Sequence, residues 1–468
     1  MEKSPQPTGS NSNRSYDATG SIETNVRDGF TLVAVGDLIV SRALTKGGHA
    51  GFGEIVNILQ AADATFGNIE TNIFDIRSFG GNPQAEYGGA YHVSLPEVGP
   101  DLKSMGFNLV SYANNHSFDW GIEGMRETCR ALDKNGIVYA GVGENLAQAG
   151  AARFLETTRG RVALLSLASS FTPMSRACDP AGEAPGRPGV NGLRLARKIL
   201  VRPDMLESLK YIYNALPGPR RDGEDQNKVV LGGATYCVGE NAGYSFEPDS
   251  SDVADILRSI RRGKQFSDFC IVTNHGHQPG NWSQEPADYE LSFAHSAIDA
   301  GADAYVAHGP HQLRGIEIYK GRPIFYGLGN FIMDDLRTPV GADMFAARGK
   351  DVGCDTEADV TADEMARGYE TNPGFSSDTA FYESVITVSR FEHNELAELR
   401  LIPIELRQFE RFANRGIPRL VSDVQANAIL VRLQRLSEQF GTQIAIENGI
   451  GVIRLRPVCS DERLRTRI

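Results

Sequence analysis

The chain has 468 residues, a formal net charge of −12 and 41% hydrophobic residues. This composition is that of an ordinary globular protein, and the length allows a large buried core. The acidic balance argues against nucleic acid as a partner, since a nucleic-acid-binding surface needs clustered Lys and Arg, and no apolar run is long enough to span a membrane.

The first 29 residues are rich in Ser, Asn, Thr and Gly, and we expect them to form a disordered tail. They lack the apolar core of a secretory signal, and the six cysteines of the chain show no Cys-x-x-Cys spacing. The sequence therefore predicts a cytoplasmic protein, although a chain trimmed of its export signal would look the same. The oligomeric state is not predicted.

Strands and helices alternate along the first part of the chain. Residues 30–36 are a β-branched run typical of a buried strand, which would place Asp37 just past its end. Residues 53–62 have helical apolar spacing, and 63–69 predict a second strand. A third strand at 107–112 precedes a helix at 122–135. This alternation predicts a layered α/β protein.

The second half of the chain is less regular. Residues 171–250 and 334–377 are rich in Gly, Pro and charge, and we expect two irregular insertions near the functional site, the first with one helical stretch at about 205–216. Between and after them, the sequence predicts strands at 269–273, 381–391 and 397–404. Residues 412–468 predict a small C-terminal appendage, a helix followed by a hairpin around an Asn-Gly turn.

Five apolar strands each run into a potential metal ligand. Residues just past the carboxyl ends of parallel strands face a common crevice, so side chains from separate strands can converge there. In chain order the candidates are Asp37, Glu70 (or Asn68), Asn115, His275, and His308 or His311.

The chemistry of these candidates points to a particular kind of ion. A mixture of carboxylate, amide and imidazole ligands suits a borderline divalent metal, whereas sites built only from oxygen favour magnesium or calcium. We therefore expect one or two divalent ions, manganese or zinc. A bound ion of this kind either acidifies a water molecule or polarises a substrate carbonyl.

Histidines beside the candidate ligands could act on the substrate. His116 directly follows Asn115, and Asp119 is close enough in sequence to orient its ring, which suits a general acid or base. His277 and His308 are further candidates for a catalytic role. The remaining histidines lie outside the pattern and are expected to be structural or solvated, namely His49, His92, His295 and His393.

Arginines of the first insertion could recognise the substrate. We expect residues 171–250 to cover one mouth of the site, with Arg187, Asn191 and Arg194 as candidate substrate contacts. Solvated loop residues are the alternative interpretation of all three.

Six short motifs contain most of the candidate residues. The motifs are Gly36-Asp37-Leu-Ile-Val-Ser-Arg42, Gly67-Asn68-Ile-Glu70, Ala113-Asn114-Asn115-His116-Ser-Phe-Asp119, His275-Gly-His277, Ala307-His308-Gly-Pro-His311 and Tyr326-Gly-Leu-Gly-Asn330. Together they resemble a known family, the CapA proteins of capsule and poly-γ-glutamate biosynthesis, which are related to the calcineurin-like metallophosphoesterases. The resemblance covers about residues 30–405, and its motifs also contain Arg42, Asn68 and Asn330, which we expect to contact substrate.

The resemblance implies a four-layer α-β-β-α sandwich of metallophosphoesterase type over residues 30–411, with a metal site at the strand ends. The ligand set that it implies is Asp37, Glu70, Asn115, His275 and His311. Metallophosphoesterases carry Asp-x-His in the first motif and Gly-Asp-x-x-Asp in the second, where this chain has Asp37-Leu-Ile39 and Gly67-Asn68-Ile-Glu70.

These departures favour an amide over a phosphoester as substrate. The leading hypothesis is a metal-dependent hydrolase of a carboxylate-rich peptide or amide. A peptide epimerase that removes a Cα proton is a second hypothesis, for which His116, His277 and His308 could supply the acid and base. A non-catalytic accessory protein of polymer synthesis is a third.

Overall fold

A computed structural model gives the fold and describes residues 24–84, 91–218, 225–334, 341–357, 359–360, 378–411 and 413–455. Most of the predicted N-terminal tail, much of the second predicted insertion and the last residues of the predicted appendage lie outside these ranges. Among the helices that the structure describes, none is long and apolar enough to cross a membrane.

Short strands make up most of the regular structure. In chain order they are β1 (Phe30–Ile39), β2 (Ala64–Ile69), β3 (Asn72–Ile73), β4 (Val93–Ser94), β5 (Leu109–Ser111), β6 (Val138–Ala140), β7 (Val142–Gly143), β8 (Arg153–Thr157), β9 (Gly160–Ala168), β10 (Gly189–Val190), β11 (Leu195–Val201), β12 (Lys228–Leu231), β13 (Ala234–Val238), β14 (Gly243–Pro248), β15 (Phe269–His275), β16 (Ala304–His308), β17 (Ile316–Tyr319), β18 (Arg322–Phe325), β19 (Asn330–Met333), β20 (Glu383–Glu392), β21 (Glu395–Glu405), β22 (Arg419–Leu420), β23 (Ala445–Glu447) and β24 (Ile450–Arg454).

The helices pack outside these strands. They are α1 (Phe52–Gln60), α2 (Val98–Met105), α3 (Gly121–Lys134), α4 (Leu146–Ala149), α5 (Pro203–Ala215), α6 (Ser250–Gln265), α7 (Asp288–Asp299), α8 (Ala342–Ala347) and α9 (Asp423–Glu438).

Two large sheets form the body of the protein. The first has the order β23-β24-β21-β20-β1-β2-β5-β6, with β19 beside β1 and β22 beside β21. The second has the order β17-β18-β16-β15-β9-β8. In both sheets the strands that lead to the candidate ligands run parallel to one another, β1 with β2 and β5 in the first and β15 with β16 in the second.

Alternation along the strands assigns their two faces to different cores. Leu32 of β1 packs in a cluster that also holds Ile271 of β15 and Val306 of β16, so this core contains residues of both sheets. Val33 of β1 belongs instead to a cluster with residues of α1, α2 and α3. A third cluster joins the second sheet to α6 and α7. The fold is therefore mixed α/β, as the alternation of elements predicts.

The first insertion is more ordered than its composition indicates. Within residues 171–250, the strands β12, β13, β11 and β14 form a separate four-stranded sheet, with α5 packed against β12 and β13. The helix expected at about 205–216 is confirmed as α5, whereas the expectation that the rest is irregular was wrong. The inserted sheet is covered only in part, and its core is small, centred on Val201, Leu206 and Val229. Strands with little buried surface lack the apolar pattern that identifies a strand in sequence.

Three element boundaries also differ from expectation. Asp37 lies inside β1, which continues to Ile39, and not past its end. Packed structure begins by Thr24, which is buried, so order starts before the predicted Phe30. At the other end, β24 pairs with β21, so the predicted C-terminal hairpin extends the first sheet and does not stand apart.

Candidate metal centre

Strand register brings the candidate ligands to one level. Asp37 of β1 is paired with Asn68 of β2 on one side and with Asn330 of β19 on the other. The register shifts at Asp37 in both pairings, and such an irregularity redirects a side chain. In the second sheet His275 is paired with His308. The ends of the two sheets thus present acidic and imidazole side chains to each other.

One group of potential ligands consists of Asp37, His275 and His308, all buried. One ligand atom from each lies within 4.8 Å of the others. The Nδ1 atoms of His275 and His308 are 2.9 Å apart, and His308 Nδ1 is 3.8 Å from Asp37 Oδ1. This spacing allows a single cation to contact all three side chains.

A second group consists of Glu70, His277 and His311, again with ligand atoms within 4.8 Å of one another. His275 connects it to the first group, since its Nε2 is 3.1 Å from His277 Nε2 and 3.5 Å from Glu70 Oε1. Asn115 also belongs here, because its Oδ1 is 3.4 Å from His277 Nε2. The two groups are adjacent parts of one centre.

The buried carboxylates show that these residues suit a cation. Among the described residues, neither oxygen of Glu70 has a hydrogen-bond partner, although the side chain is fully buried. Burial, and then the negative charges of Asp37 and Asp119, raise the pKa of Glu70 well above its usual range. A buried carboxylate without hydrogen bonds is costly, and a bound cation would offset that cost.

Three of the imidazoles, those of His275, His277 and His308, have the protonation state that metal ligands require. Burial lowers the pKa of His277 to about 3 and that of His308 to about 4. Burial, and then the neighbouring imidazoles, also lower the pKa of His275 well below its usual range. Histidines that are neutral at physiological pH can donate a lone pair to a metal without first losing a proton.

Polar neighbours fix the ring orientation of three of the histidines. Thr273 Oγ1 lies 2.6 Å from His308 Nε2, which leaves the Nδ1 of His308 facing Asp37. In the same way Asn281 Oδ1 lies 2.7 Å from His277 Nδ1, and Asn330 Oδ1 lies 2.9 Å from His311 Nδ1. Such partners orient a ligand ring. Asn330, which is predicted to contact substrate, thus contacts the side chain of His311.

Asn68 contacts Asp37 as a hydrogen-bond donor. Its Nδ2 donates to Asp37 Oδ1 at 2.9 Å, and its Oδ1 accepts from Asn114 Nδ2 at 3.2 Å. Burial raises the pKa of Asp37, but the hydrogen bond with His311, the charges of His311 and His308 and the donation from Asn68 together outweigh burial, so the pKa is lowered. Asn68 therefore helps the histidines to keep Asp37 as a carboxylate.

The Gly-Pro dipeptide between His308 and His311 shapes the backbone. Gly309 has a φ of 114°, and its N–H donates to Asp37 Oδ2 at 3.2 Å. His311 has a φ of 60°, a backbone conformation that residues other than glycine rarely adopt. Strained backbone of this kind is typical of functional sites, and here it brings His311 Nδ1 within 3.4 Å of Asp37.

His116 and Asp119 form a buried pair beside the centre. His116 Nδ1 is 2.7 Å from Asp119 Oδ2, and burial lowers the pKa of His116 to about 3. The ring of His92 has its centroid 4.2 Å from that of His116, and the backbone N–H of His92 donates to Asp119. His92 thus adjoins the site, although its isolated position in sequence indicated a structural role.

The remaining predicted substrate contacts divide into two that pair elsewhere in the protein and two that line a cavity beside the centre. Arg42 pairs with Asp334 at 3.0 Å, and the buried Asn191 donates to the carbonyl of Ser166. Arg187 and Arg194 line a cavity of about 630 Å³ that borders the centre at His277. The structure therefore brings two of the predicted insertion residues near the site.

Sequence reasoning missed several residues of this site. Thr273 and Asn281 act on His308 and His277, and each lies within four residues of a candidate histidine, which is the only local signal they carry. Arg176 and Arg197 also line the cavity, and nothing in their sequence neighbourhood distinguishes them from solvated residues.

These observations define the class as a mixed α/β protein with a candidate divalent-metal centre at its strand ends. Residues 31–335 match the family described as bacterial capsule synthesis protein PGA_cap, and the chain belongs to that family. The resemblance to CapA proteins is thereby confirmed.

Three relatives illustrate the range of similarity. The uncharacterized protein y4uA of Sinorhizobium fredii is 65% identical over 461 residues, which cover 97% of this chain and 100% of that protein. The PGA biosynthesis protein CapA of Bacillus subtilis is 25% identical over 321 residues, 68% of this chain and 66% of that protein. A probable polyglutamine synthesis accessory protein of Mycobacterium tuberculosis is 27% identical over 289 residues, 60% of this chain and 59% of that protein.

Proposed function

We propose that this protein is a metal-dependent hydrolase that cleaves an amide bond in a carboxylate-rich substrate of poly-γ-glutamate or γ-glutamyl type. The observation that carries the proposal is the convergence of two buried carboxylates and four imidazoles at the ends of two sheets. The name of the Bacillus subtilis relative, a PGA biosynthesis protein, supports the substrate class.

We further propose that the fold is a four-layer α-β-β-α sandwich of metallophosphoesterase type, with residues 30–411 as the catalytic domain. The separate clusters on the outer faces of the two sheets support this arrangement, as does the central cluster that contains residues of both.

Asp37, His275 and His308 would hold one manganese or zinc ion, and Glu70, His277 and His311, with Asn115, a second. A bound divalent ion would polarise the amide carbonyl and lower the pKa of a water molecule. His277 and His308, which the sequence offered as catalytic candidates, are ligands in this assignment. His308 belongs to the first ligand group and His277 to the second.

His116 is the proposed proton carrier. Asp119 occupies its Nδ1, so Nε2 is the atom left to transfer a proton. The neutral ring accepts a proton when water attacks the carbonyl and returns it to the departing amine. Asp119 keeps the ring in one orientation through both transfers.

Incubation with γ-glutamyl peptides and, separately, with phosphoesters tests this function. We expect amide cleavage that needs added manganese or zinc, and a loss of roughly 100-fold or more in His116→Gln. His295→Gln, whose ring pairs with Glu317 outside the centre, is the matched control. Turnover of phosphoesters alone would contradict the proposal.

The second candidate is a non-catalytic accessory protein of polymer synthesis, which the name of the Mycobacterium tuberculosis relative favours. Elemental analysis of protein purified without chelator separates the two, because a chain that contains and rebinds no metal supports the accessory role. Deuterium uptake at a Cα without cleavage would instead support epimerisation.

A further inference from the structure

A positively charged cavity adjoins the candidate metal centre. It has a volume of about 630 Å³ and includes His277, Phe246 and Gln278 in its wall. Four arginines also line it, namely Arg176, Arg187, Arg194 and Arg197, and its described lining contains no Asp or Glu. The whole chain has a net charge of −12, so this concentration of positive charge is a local feature.

Two of the four arginines are neutralised by neighbouring carboxylates. Asp252, which is 6% exposed, lies 2.8 Å from Arg176 and 2.8 Å from Arg194. Asp249 lies 3.0 Å from Arg194. These contacts hold Arg176 and Arg194 against Asp252 of α6 and Asp249 just before it. The two arginines therefore line the cavity in fixed positions, with their charges already paired.

The other two guanidinium groups have neutral partners. Arg187 donates to the carbonyl of Arg176 at 2.9 Å and to that of Pro173 at 3.2 Å. Arg197 stands over the ring of Tyr244, 4.6 Å from its centroid. In the described part of the chain, no carboxylate lies within 4.0 Å of either guanidinium. The cavity therefore contains positive charge that has no anionic partner among the described residues.

The position of the cavity relates it to the chemistry. His277 belongs both to the cavity wall and to the second ligand group, and its backbone N–H donates to Ser170 Oγ, another residue of the wall. Strand β11 of the inserted sheet supplies Arg197. If one group of a substrate molecule were bound in the cavity, a neighbouring bond of the same molecule would lie beside the metal centre.

We propose that this arginine cavity binds a carboxylate of the substrate and so selects an acidic residue next to the amide that is cleaved. Arginine suits this task because its planar fork matches the two oxygens of a carboxylate. The identity of the substrate rests on the proposed function, whereas binding in the cavity can be measured without any turnover. A phosphate has related oxyanion chemistry, so the experiment includes both anions.

Calorimetric titration with tri-γ-glutamate, and with the same peptide in which the α-carboxylates are amidated, tests the proposal. We expect the acidic peptide to bind at least about 10-fold more tightly than the amidated one. Arg197→Gln and Arg187→Gln should each weaken binding of the acidic peptide by about 10-fold, with little effect on the amidated one. Arg202→Gln is the matched control, since Arg202 is an exposed arginine of the same insertion that pairs with Asp204.

Equal affinity for the two peptides, or binding unaffected by Arg197→Gln, would overturn the proposal. Inorganic phosphate that binds in an Arg197-dependent manner while the acidic peptide does not bind would also overturn it. Arg197 is exposed, so this variant decides the matter even if Arg187→Gln fails to fold.

The proposed hydrolysis can fail independently of the cavity. Arginine-dependent peptide binding without cleavage under any metal would support the cavity and contradict the hydrolase. Cleavage with an unchanged KM in Arg187→Gln and Arg197→Gln would support the hydrolase and contradict the cavity.

Discussion

The Nδ1 atoms of His275 and His308 lie 2.9 Å apart on adjacent parallel strands. Two neutral imidazoles at this distance can place only one proton between their facing nitrogens. Asp37 and Glu70 lie beside the same pair, so imidazole nitrogens and carboxylate oxygens, all of them electron-pair donors, converge at one place. This convergence is the basis of the predictions on metal binding.

Glu70→Gln should weaken metal binding while the fold is kept. Loss of a ligand carboxylate is expected to lower the affinity for zinc or manganese by roughly 100-fold or more, since orienting partners alone contribute about 10–100-fold. Competition with a fluorescent chelator measures the change. Glu317→Gln, which removes a carboxylate that contacts His295 and Tyr326, is the control, and an unchanged affinity in Glu70→Gln would exclude Glu70 as a ligand.

Thr273→Val should also weaken metal binding, but less. The substitution keeps the shape of the side chain and removes the hydroxyl that holds His308 Nε2. We expect a loss of about 10-fold in affinity, measured by the same competition. Thr387→Val is the control, because Thr387 also bonds through a buried hydroxyl, to the carbonyl of Ala34. Equal affinities of the two variants would show that Thr273 does not orient the ring.

The metal-free protein should lose stability as the pH falls from about 7 to about 5. Burial lowers the pKa of His116 and His277 to about 3 and that of His308 to about 4, from an ordinary value of 6.5. At these three imidazoles the unfolded chain binds more protons in this range, so a falling pH favours unfolding. The raised pKa of Glu70 acts in the opposite sense, but it is a single group and offsets only part of the effect. Each neutral imidazole should contribute a loss of roughly 2 kcal/mol.

Denaturant unfolding in the presence of chelator measures this loss. His116→Gln removes one of the three imidazoles. The free energy of unfolding of this variant should depend less steeply on pH, because about one proton fewer is taken up on unfolding. A free energy of unfolding that is constant or rises towards about pH 5 would contradict the prediction.

Gly36→Ala should destabilise the protein strongly. A Cβ at Gly36 would lie 1.8 Å from the carbonyl oxygen of Gly329, where β1 approaches the residue before β19. The strands must separate, and we expect a loss of roughly 3 kcal/mol or more in the free energy of unfolding. Gly53→Ala in α1, with no neighbouring atom within 4 Å, is the control and should gain about 0.5–1 kcal/mol. Similar stabilities of the two variants would show that the approach of the strands is adjustable.

Local sequence patterns were sufficient for the central strands and for the residue types at their ends. Strands such as β2 and β15 are buried along their whole length, begin with an apolar run and end at recognisable polar side chains, because a strand covered on both faces leaves little freedom in composition. The inserted sheet could not be predicted in this way, since β11 is mostly half-exposed or exposed.

The sequence by itself determined the family, the α/β class and the set of candidate ligands, since each depends on short runs of neighbouring residues. Only the tertiary structure decided which nitrogen of His308 faces Asp37, that Asn68 donates to Asp37, and that Arg197 joins Arg187 in one cavity. These relationships join residues from separate strands and the insertion. Packing and hydrogen bonding between distant segments set them, and no local pattern records that geometry.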